Sequence, residues 1–123
     1  MRMTFGIDSN LIPPPAAAHG AAAYRRRMST KQMEAEVFAR ANRSIRESAT
    51  GGPLAHARAV ADNRRLWDAV QAAVLDPTNS LPVDLRAQIA GVAMAVVREC
   101  AAEQPDLAFI TEMNDHFAAA LWR

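Results

Sequence analysis

The sequence predicts an all-α fold, a small antiparallel bundle of about four helices that follows a flexible N-terminal arm. Apolar residues recur at helical spacing in four successive stretches, and turns rich in Gly, Pro, Asp and Asn separate those stretches. No stretch has the apolar–polar alternation that is typical of a half-buried strand. Because the connections are short, neighbouring helices are expected to run antiparallel. The 123 residues, 50% hydrophobic and 22% charged, have the length and composition of one globular domain.

The N-terminal part of the chain differs from the rest in composition. Residues 1–23 are predicted to form a flexible Pro/Ala-rich arm, and residues 24–123 the helical domain. The run Pro13–Pro15 removes three successive backbone donors and favours an extended chain. The basic run Arg25–Arg27 is interpreted either as a solvated connector or as a patch that steers a partner.

The first helix is predicted to run from about Thr30 to Ser48. Ser29 and Gln32 have the spacing of a capping box, in which each side chain satisfies a free backbone N–H at the helix start. The apolar face repeats at helical spacing and consists of Met33, Val37, Phe38, Ala41 and Ile45. The pair Gly51–Gly52 ends this stretch.

The second helix is predicted to run from Pro53 to Leu75, because proline fits the first turn, where its missing N–H would be unpaired anyway. Its apolar face consists of Val60, Trp67, Val70 and Val74, with Leu66 on the flank. The segment from Asp76 to Ser80 is a turn by composition.

The last two helices follow this turn. The third is predicted to start near Pro82, with Asp84 in the first turn, where a negative charge interacts favourably with the helix dipole. The fourth is predicted from about Asp106 to Leu121, after a break at Pro105. The buried stripes are Leu85, Ile89, Val92, Val96 and Cys100 in the third helix, and Leu107, Ile110, Phe117 and Leu121 in the fourth, with Met113 beside them.

Two asparagines interrupt these apolar faces. Asn63 lies among the apolar residues of the second helix, and Asn114 among those of the fourth. A buried amide without a partner costs a few kcal/mol, so each must form hydrogen bonds. Either the amides satisfy a helix end, a loop or each other, or they line a groove and bond the backbone of a partner. Both interpretations can hold together.

Arg64 and Arg65 lie on the other side of the second helix, near Asp68 and Asp62. A local ion-pair network, worth tenths of a kcal/mol per pair, is slightly favoured over contact with a partner. Trp67 fits the core by its spacing, although a tryptophan beside arginine and asparagine on a small helical protein is also a candidate for an interface.

The overall composition limits the functional class and the compartment. A net charge of +1, from 14 basic and 13 acidic side chains, argues against a dedicated nucleic-acid binder. Cys100 is the only cysteine, so no intrachain disulfide can form, which fits a reducing compartment. No apolar run approaches the roughly 20 residues of a membrane span, and residues 1–23 lack the order of a signal peptide. The protein is therefore expected in the cytoplasm.

The residue types that carry catalysis or bind metals are not grouped in this sequence. His19, His56 and His116 are scattered and lack metal-ligand spacing. The pair Gly51–Gly52 lacks the Lys and Ser/Thr that follow in a phosphate-binding loop. We therefore expect no enzyme activity, no cofactor and no metal.

Part of the sequence resembles the signature of a known family. The residues that carry the resemblance are Ala61-Asp62-Asn63-Arg64-Arg65-Leu66-Trp67, Asp76-Pro77-Thr78-Asn79-Ser80-Leu81-Pro82-Val83-Asp84-Leu85-Arg86-Ala87-Gln88-Ile89, the upstream Val37-Phe38-Ala39-Arg40, and the downstream Ile110, Asn114 and Leu121. They are similar to FlaF, a family of flagellar biosynthesis regulators, over about Tyr24 to Leu121.

The resemblance implies a non-catalytic role in flagellin production and export. It implies an export-chaperone-like protein that binds flagellin and works alongside FlbT, a regulator that restrains flagellin synthesis. Free flagellin has amphipathic terminal helices, and a groove on a small helical protein can shield the apolar stripe of such a helix. The residues expected to bind the partner are Phe38, Asn63, Arg64, Arg65, Leu66, Trp67, Asn114 and Phe117.

Two rival functions stay open. A post-transcriptional regulator would bind flagellin messenger RNA through Arg25–Arg27, Arg64 and Arg65, and its affinity would fall steeply with salt. The near-neutral charge makes nucleic-acid binding the weaker interpretation. A structural adaptor would bind FlbT without flagellin.

Overall fold

The computed structural model describes the backbone of residues 29–121 and the side chains of residues 34–120. This part of the chain forms four α-helices without a strand, which confirms the predicted all-α fold. The helices are α1 (Ser29–Ser48), α2 (Gly52–Leu75), α3 (Val83–Cys100) and α4 (Leu107–Leu121). The predicted arm, the Arg25–Arg27 cluster and the side chains of the predicted capping box lie outside the described residues.

One hydrophobic core joins the four helices. Its largest fully buried apolar side chains are Trp67, Phe38, Ile110, Val70, Val74 and Val96. They come from every helix and occupy positions that the helical spacing of the sequence predicts to be buried. Burial of these side chains is the main favourable contribution to folding.

The turn between α1 and α2 requires glycine at two successive positions. Gly52 has a φ of +85°, a backbone conformation that side-chain-bearing residues rarely adopt. A Cβ on Gly51 would lie 2.7 Å from the Cβ of Ala55. Pro53 follows in the first turn of α2, as predicted, where it has no hydrogen bond to lose.

The turn between α2 and α3 is built by two polar side chains. The Asp76 carboxylate accepts hydrogen bonds from the backbone N–H of Thr78 (2.9 Å) and from its hydroxyl (2.8 Å). Asn79 donates to the carbonyl of Ala73 in the last turn of α2 (2.9 Å) and accepts from the N–H of Leu81 (2.9 Å). The family-like run after α2 therefore ends one helix and leads into the next.

This turn also perturbs the acidity of Asp76. The backbone N–H and then the hydroxyl of Thr78 stabilise the carboxylate and hold the pKa of Asp76 below its usual value. The charge of Arg86 acts in the same direction, and its guanidinium donates to the backbone oxygen of Asp76 at 3.1 Å. The ionised form of Asp76 is thus the form that the turn stabilises.

Contacts between α1 and α4 indicate the direction of these helices. Phe38 of α1 lies beside Phe117 of α4, with ring centroids 5.8 Å apart. One turn later in α1, Asn42 donates to the carbonyl oxygen of Thr111, which is earlier in α4 (3.1 Å). This order is the one expected for antiparallel neighbours.

Candidate functional site

Asparagine side chains from three helices meet in the interior. Asn42 of α1, Asn63 of α2 and Asn114 of α4 are at most 1% exposed. The Asn114 Nδ2 donates to the Oδ1 of Asn42 (2.9 Å) and of Asn63 (2.7 Å). The Asn114 Oδ1 accepts from the indole N–H of Trp67 (2.8 Å). We call these four side chains the amide network, with Asn114 at its centre.

The remaining N–H groups of the network also have acceptors. They are Ala41 O (3.2 Å) and Ala59 O (2.9 Å) for Asn63, and Thr111 O (3.1 Å) and Asp115 Oδ1 (2.7 Å) for Asn42. Each buried amide thus uses both of its N–H groups, which offsets the cost of removing it from water. Donors and acceptors come from α1, α2 and α4, and within the described residues α3 contributes none.

The hydrogen bond between Asn63 and Asn114 confirms the expectation that the two amides bond each other. Neither lines one of the surface grooves described below. Asn42 was not among the residues predicted from the sequence, although it lies four residues after Phe38 and three before Ile45, on the same apolar face. That spacing could have identified it, whereas the exposed Asp115 has no comparable signal.

Three aromatic rings connect this network to the surface. Trp67 packs edge to face against Phe38, with centroids 5.5 Å apart, and against Phe117, with centroids 4.9 Å apart. Trp67 and Phe38 are fully buried, whereas Phe117 is half-buried. Of the three rings, Phe117 is therefore the one that is partly exposed.

An apolar groove of about 250 Å³ lies between α3 and α4, and we call it the α3–α4 groove. One wall is the stripe of Leu85, Ile89 and Val92, which lie four and three residues apart on one face of α3. Phe117 and Ala120 form the wall on α4. Two polar side chains, Gln88 and His116, complete the lining.

A second groove, of about 290 Å³, lies between α1 and α2 and is more polar. Its lining consists of Val37, Arg40, Ala41, Ser44, Asp62, Arg65 and Leu66. The Arg65–Asp62 pair (3.2 Å) and the Arg64–Asp68 pair (4.0 Å) are the local ion pairs that the sequence predicts. All four side chains are largely exposed, so each pair contributes a few tenths of a kcal/mol at most.

The sequence profile of one known family, described as flagellar protein FlaF, matches residues 17–121. The chain belongs to the FlaF family. This membership confirms the resemblance seen in the sequence and makes the protein a flagellar one. A comparison with curated proteins found no match. A comparison with solved structures found none either.

The residues expected to bind a partner of this FlaF-family protein are distributed over the interior and three parts of the surface. Five are buried, namely Phe38, Asn63, Leu66, Trp67 and Asn114. Arg64 and Arg65 are exposed, and Arg65 lines the α1–α2 groove with Leu66, whereas Phe117 lines the α3–α4 groove. No single groove of the described part holds all the expected anchors, and partner binding through these eight residues stays a prediction.

Residue types that bind metals or act as nucleophiles are also present in the described helices. Within residues 34–120, no three His, Cys, Asp or Glu side chains are grouped so that they could hold a metal ion. Cys100 is buried, and burial is the main cause that raises its pKa to about 11, so its thiol is protonated at neutral pH. Among the described helices, none has the length and apolar character needed to cross a membrane.

Proposed function

We propose that this FlaF-family protein binds flagellin in the cytoplasm and supports its synthesis and secretion as an export-chaperone-like protein. Membership of the family supports a flagellar role. The single observation that carries flagellin binding is the α3–α4 groove, an apolar surface between two helices. An apolar groove between helices is a type of surface on which the apolar face of a partner helix can dock.

The dimensions of the groove suit an amphipathic helix. From Leu85 to Val92 the apolar wall of α3 extends over about 10 Å, at 1.5 Å per residue. That length is two turns, and two turns of a partner helix present apolar side chains at positions i, i+3 or i+4, and i+7. Gln88 and His116 beside the apolar wall supply polar atoms that can orient the bound helix.

Phe117 is the proposed contact residue among the eight expected from the sequence. It lines the groove and packs on the buried indole of Trp67. Trp67 is in turn held by its hydrogen bond to Asn114. Trp67, Phe38 and Asn114 thus act as positioning residues, because they support Phe117 and are themselves buried.

The decisive experiment compares the flagellin affinity of two variants, one with a new charge inside the groove and one with the same charge beside it. Ala120 lines the groove, whereas its neighbour Ala119 is exposed and does not. We expect Ala120→Glu to weaken flagellin binding by about tenfold or more, because a carboxylate buried without a partner costs well over 1.4 kcal/mol. Ala119→Glu should leave affinity nearly unchanged. Binding is measured by calorimetry, with circular dichroism to verify helicity.

If the two variants fold and bind flagellin with equal affinity, flagellin does not bind in the α3–α4 groove. The same titration with flagellin truncated at either terminus identifies the bound helix, because loss of that helix should abolish binding. A titration with FlbT tests the adaptor alternative. If FlbT binds in a groove-dependent way and flagellin does not bind at all, the protein is an adaptor rather than a flagellin chaperone.

A further inference from the structure

Helix α3 has an exposed side opposite to the side that packs in the core. Ile89, Ala93 and Val96 belong to the core side and are at most 3% exposed. Another set of α3 residues lies on the opposite side, at alternating spacings of three and four residues that are typical of the seam between two packed helices. We call this set the outer face of α3, and it consists of Asp84, Ala87, Gly91, Met94 and Arg98. All five residues are exposed, so this face is open to a partner.

The charges of the outer face are arranged symmetrically about its centre. Asp84 lies seven residues before Gly91 and Arg98 lies seven residues after it, so each charge is about 10 Å from the centre along the helix axis. Within residues 34–120, neither charged side chain has an ion-pair partner. We propose that the outer face of α3 binds the same face of a second copy of the chain, as an antiparallel pair with its two-fold axis at Gly91.

The antiparallel direction follows from the charges. In that arrangement Asp84 of each copy lies beside Arg98 of the other copy, and the two-fold symmetry forms this contact twice. A parallel pair would place Asp84 beside its own counterpart, and Arg98 likewise, so that like charges repel each other. The net charge of the whole chain is only +1, so two copies do not repel each other strongly at longer range.

The sizes of the side chains also suit close packing of two α3 helices. Gly91 has no side chain, and a Cβ built on it would meet nothing within 4 Å, so the centre of the face admits another backbone. Met94 is large, unbranched and 49% exposed, and it lies three residues after the centre. In the antiparallel pair it meets the second copy three residues before the centre, where four residues form a hole for it. These four residues are Asp84, Ala87, Gln88 and Gly91. Removal of both methionines from water favours the pair.

The dimer interface is small and separate from the α3–α4 groove. One helix face from each copy buries less than the roughly 1,200–2,000 Å² of surface found in stable interfaces. We therefore expect a dissociation constant of about 0.1 mM, and a monomer at the micromolar concentrations used for denaturation. No residue of the outer face lines the α3–α4 groove, so self-association goes beyond the proposed function and does not rest on flagellin binding.

Reversal of the two charges tests the pairing. Sedimentation equilibrium of the full chain measures the dissociation constant, and circular dichroism verifies helicity. Asp84→Arg and Arg98→Asp should each raise the dissociation constant about tenfold or more, because both charge pairs become repulsive. The double variant with both changes restores opposite charges and should dimerise nearly as well as wild type. Arg58→Asp makes the same change of charge on the exposed surface of α2 and should have no effect.

Cysteine crosslinking tests the position of the axis. In a Gly91→Cys variant the new thiols of the two copies meet at the axis, within the roughly 4–7 Å between Cα atoms that a disulfide allows. Oxidised glutathione should therefore crosslink this variant. Asp84→Cys should not crosslink, because its two new thiols lie about 20 Å apart along the helix axis. Cys100 is buried, and burial raises its pKa to about 11, so its thiol does not compete.

Four results would overturn this dimer. One is a wild-type chain that remains monomeric well above about 0.1 mM. Another is a folded Asp84→Arg variant that dimerises like wild type, since the contact would then lie on another surface. The third is a double variant as weak as the single ones, because both reversals oppose the helix dipole and damage to the fold would add rather than cancel. The fourth is crosslinking of Asp84→Cys at the rate of Gly91→Cys. None of these experiments contains flagellin, so the proposed function is tested separately.

Discussion

At the scale of single residues, Asn114 is the side chain that joins the other members of the amide network. Its amide links Asn42, Asn63 and Trp67, and each belongs to α1 or α2. These bonds have good geometry and no exposure to water, so their loss leaves buried polar groups without partners. The residue that looks least suited to an apolar face is therefore one that the fold requires.

We expect Asn114→Leu to lower the free energy of unfolding by about 3 kcal/mol or more, because three buried groups lose their partner at about 1–3 kcal/mol each. Urea denaturation followed by circular dichroism measures the change. Glu112→Ala, an exposed change on the same helix, should stay within about 0.5 kcal/mol of wild type. A loss of similar size in both variants would contradict the role of the amide network.

Two substitutions of Trp67 distinguish the contribution of its indole N–H to stability from that of its aromatic ring. Trp67→Phe keeps an aromatic ring but leaves Asn114 Oδ1 without its donor, for a loss of about 1–3 kcal/mol. Trp67→Ala also opens a cavity in the core and should cost about 3–5 kcal/mol or more. Thermal and urea denaturation distinguish these values, and an alanine variant with wild-type stability would contradict the buried position.

The complete burial of Trp67 limits its use as a probe of partner binding. If Trp67 contacted the partner directly, as the sequence predicts, Trp67→Ala would weaken flagellin binding while the helices survive. The indole is fully buried, so a loss of binding in that variant would report damage to the fold. Spacing alone could not separate a core tryptophan from an interface tryptophan, because both lie on the apolar face of α2. The groove position Ala120 is the better probe.

At the scale of elements, a glycine at the start of a helix and a glycine within a helix respond differently to the same substitution. Gly52 has a positive φ, whereas Gly91 lies within α3 with open space where a Cβ would be. We expect Gly52→Ala to destabilise the protein by about 1 kcal/mol. Gly91→Ala should stabilise it by about 0.5–1 kcal/mol, because alanine is the better helix former. Denaturant midpoints of both variants measure this, and the same sign in both would contradict it.

The turn after α2 predicts that the stability of the protein decreases at acid pH. The pKa of Asp76 in the folded protein is below 3.8, so ionised Asp76 stabilises the fold above that pH, and this contribution is lost as pH falls through the lowered pKa. Asp76→Asn should therefore be less stable than wild type near neutral pH, and the difference should shrink below about pH 4. Denaturation at several pH values measures it.

A control variant isolates the cause of this acid dependence. Thr78→Val removes the hydroxyl that bonds the carboxylate but keeps the backbone N–H. The pH-dependent part of the stability difference should become smaller in that background. A difference that stays constant from neutral pH to pH 2.5 would mean that the charge of Asp76 does not stabilise the turn.

The elements themselves were predictable from the sequence to a large extent. The predicted ends Ser48 and Leu75 are the observed ends of α1 and α2, because glycine and the Asp76 turn stop the helices locally. The α3–α4 groove was not predictable in the same way. Leu85 and Phe117 were both assigned to buried stripes, and only the spacing between packed helices decides that surface remains between them.

At the scale of the whole molecule, the core is continuous through all four helices. We therefore expect one cooperative unfolding transition, with equal calorimetric and van't Hoff enthalpies. Scanning calorimetry measures both. A separate early transition, in which α3 unfolds before α1, α2 and α4, would contradict a single cooperative unit.

The amide network joins α1, α2 and α4 and leaves α3 out, and this asymmetry affects recognition. Hydrogen bonds are directional and hold three helices in register, whereas apolar contacts tolerate small lateral displacements. The groove thus has one rigid side and one compliant side. Side chains of different bulk can therefore be accommodated there at low energetic cost.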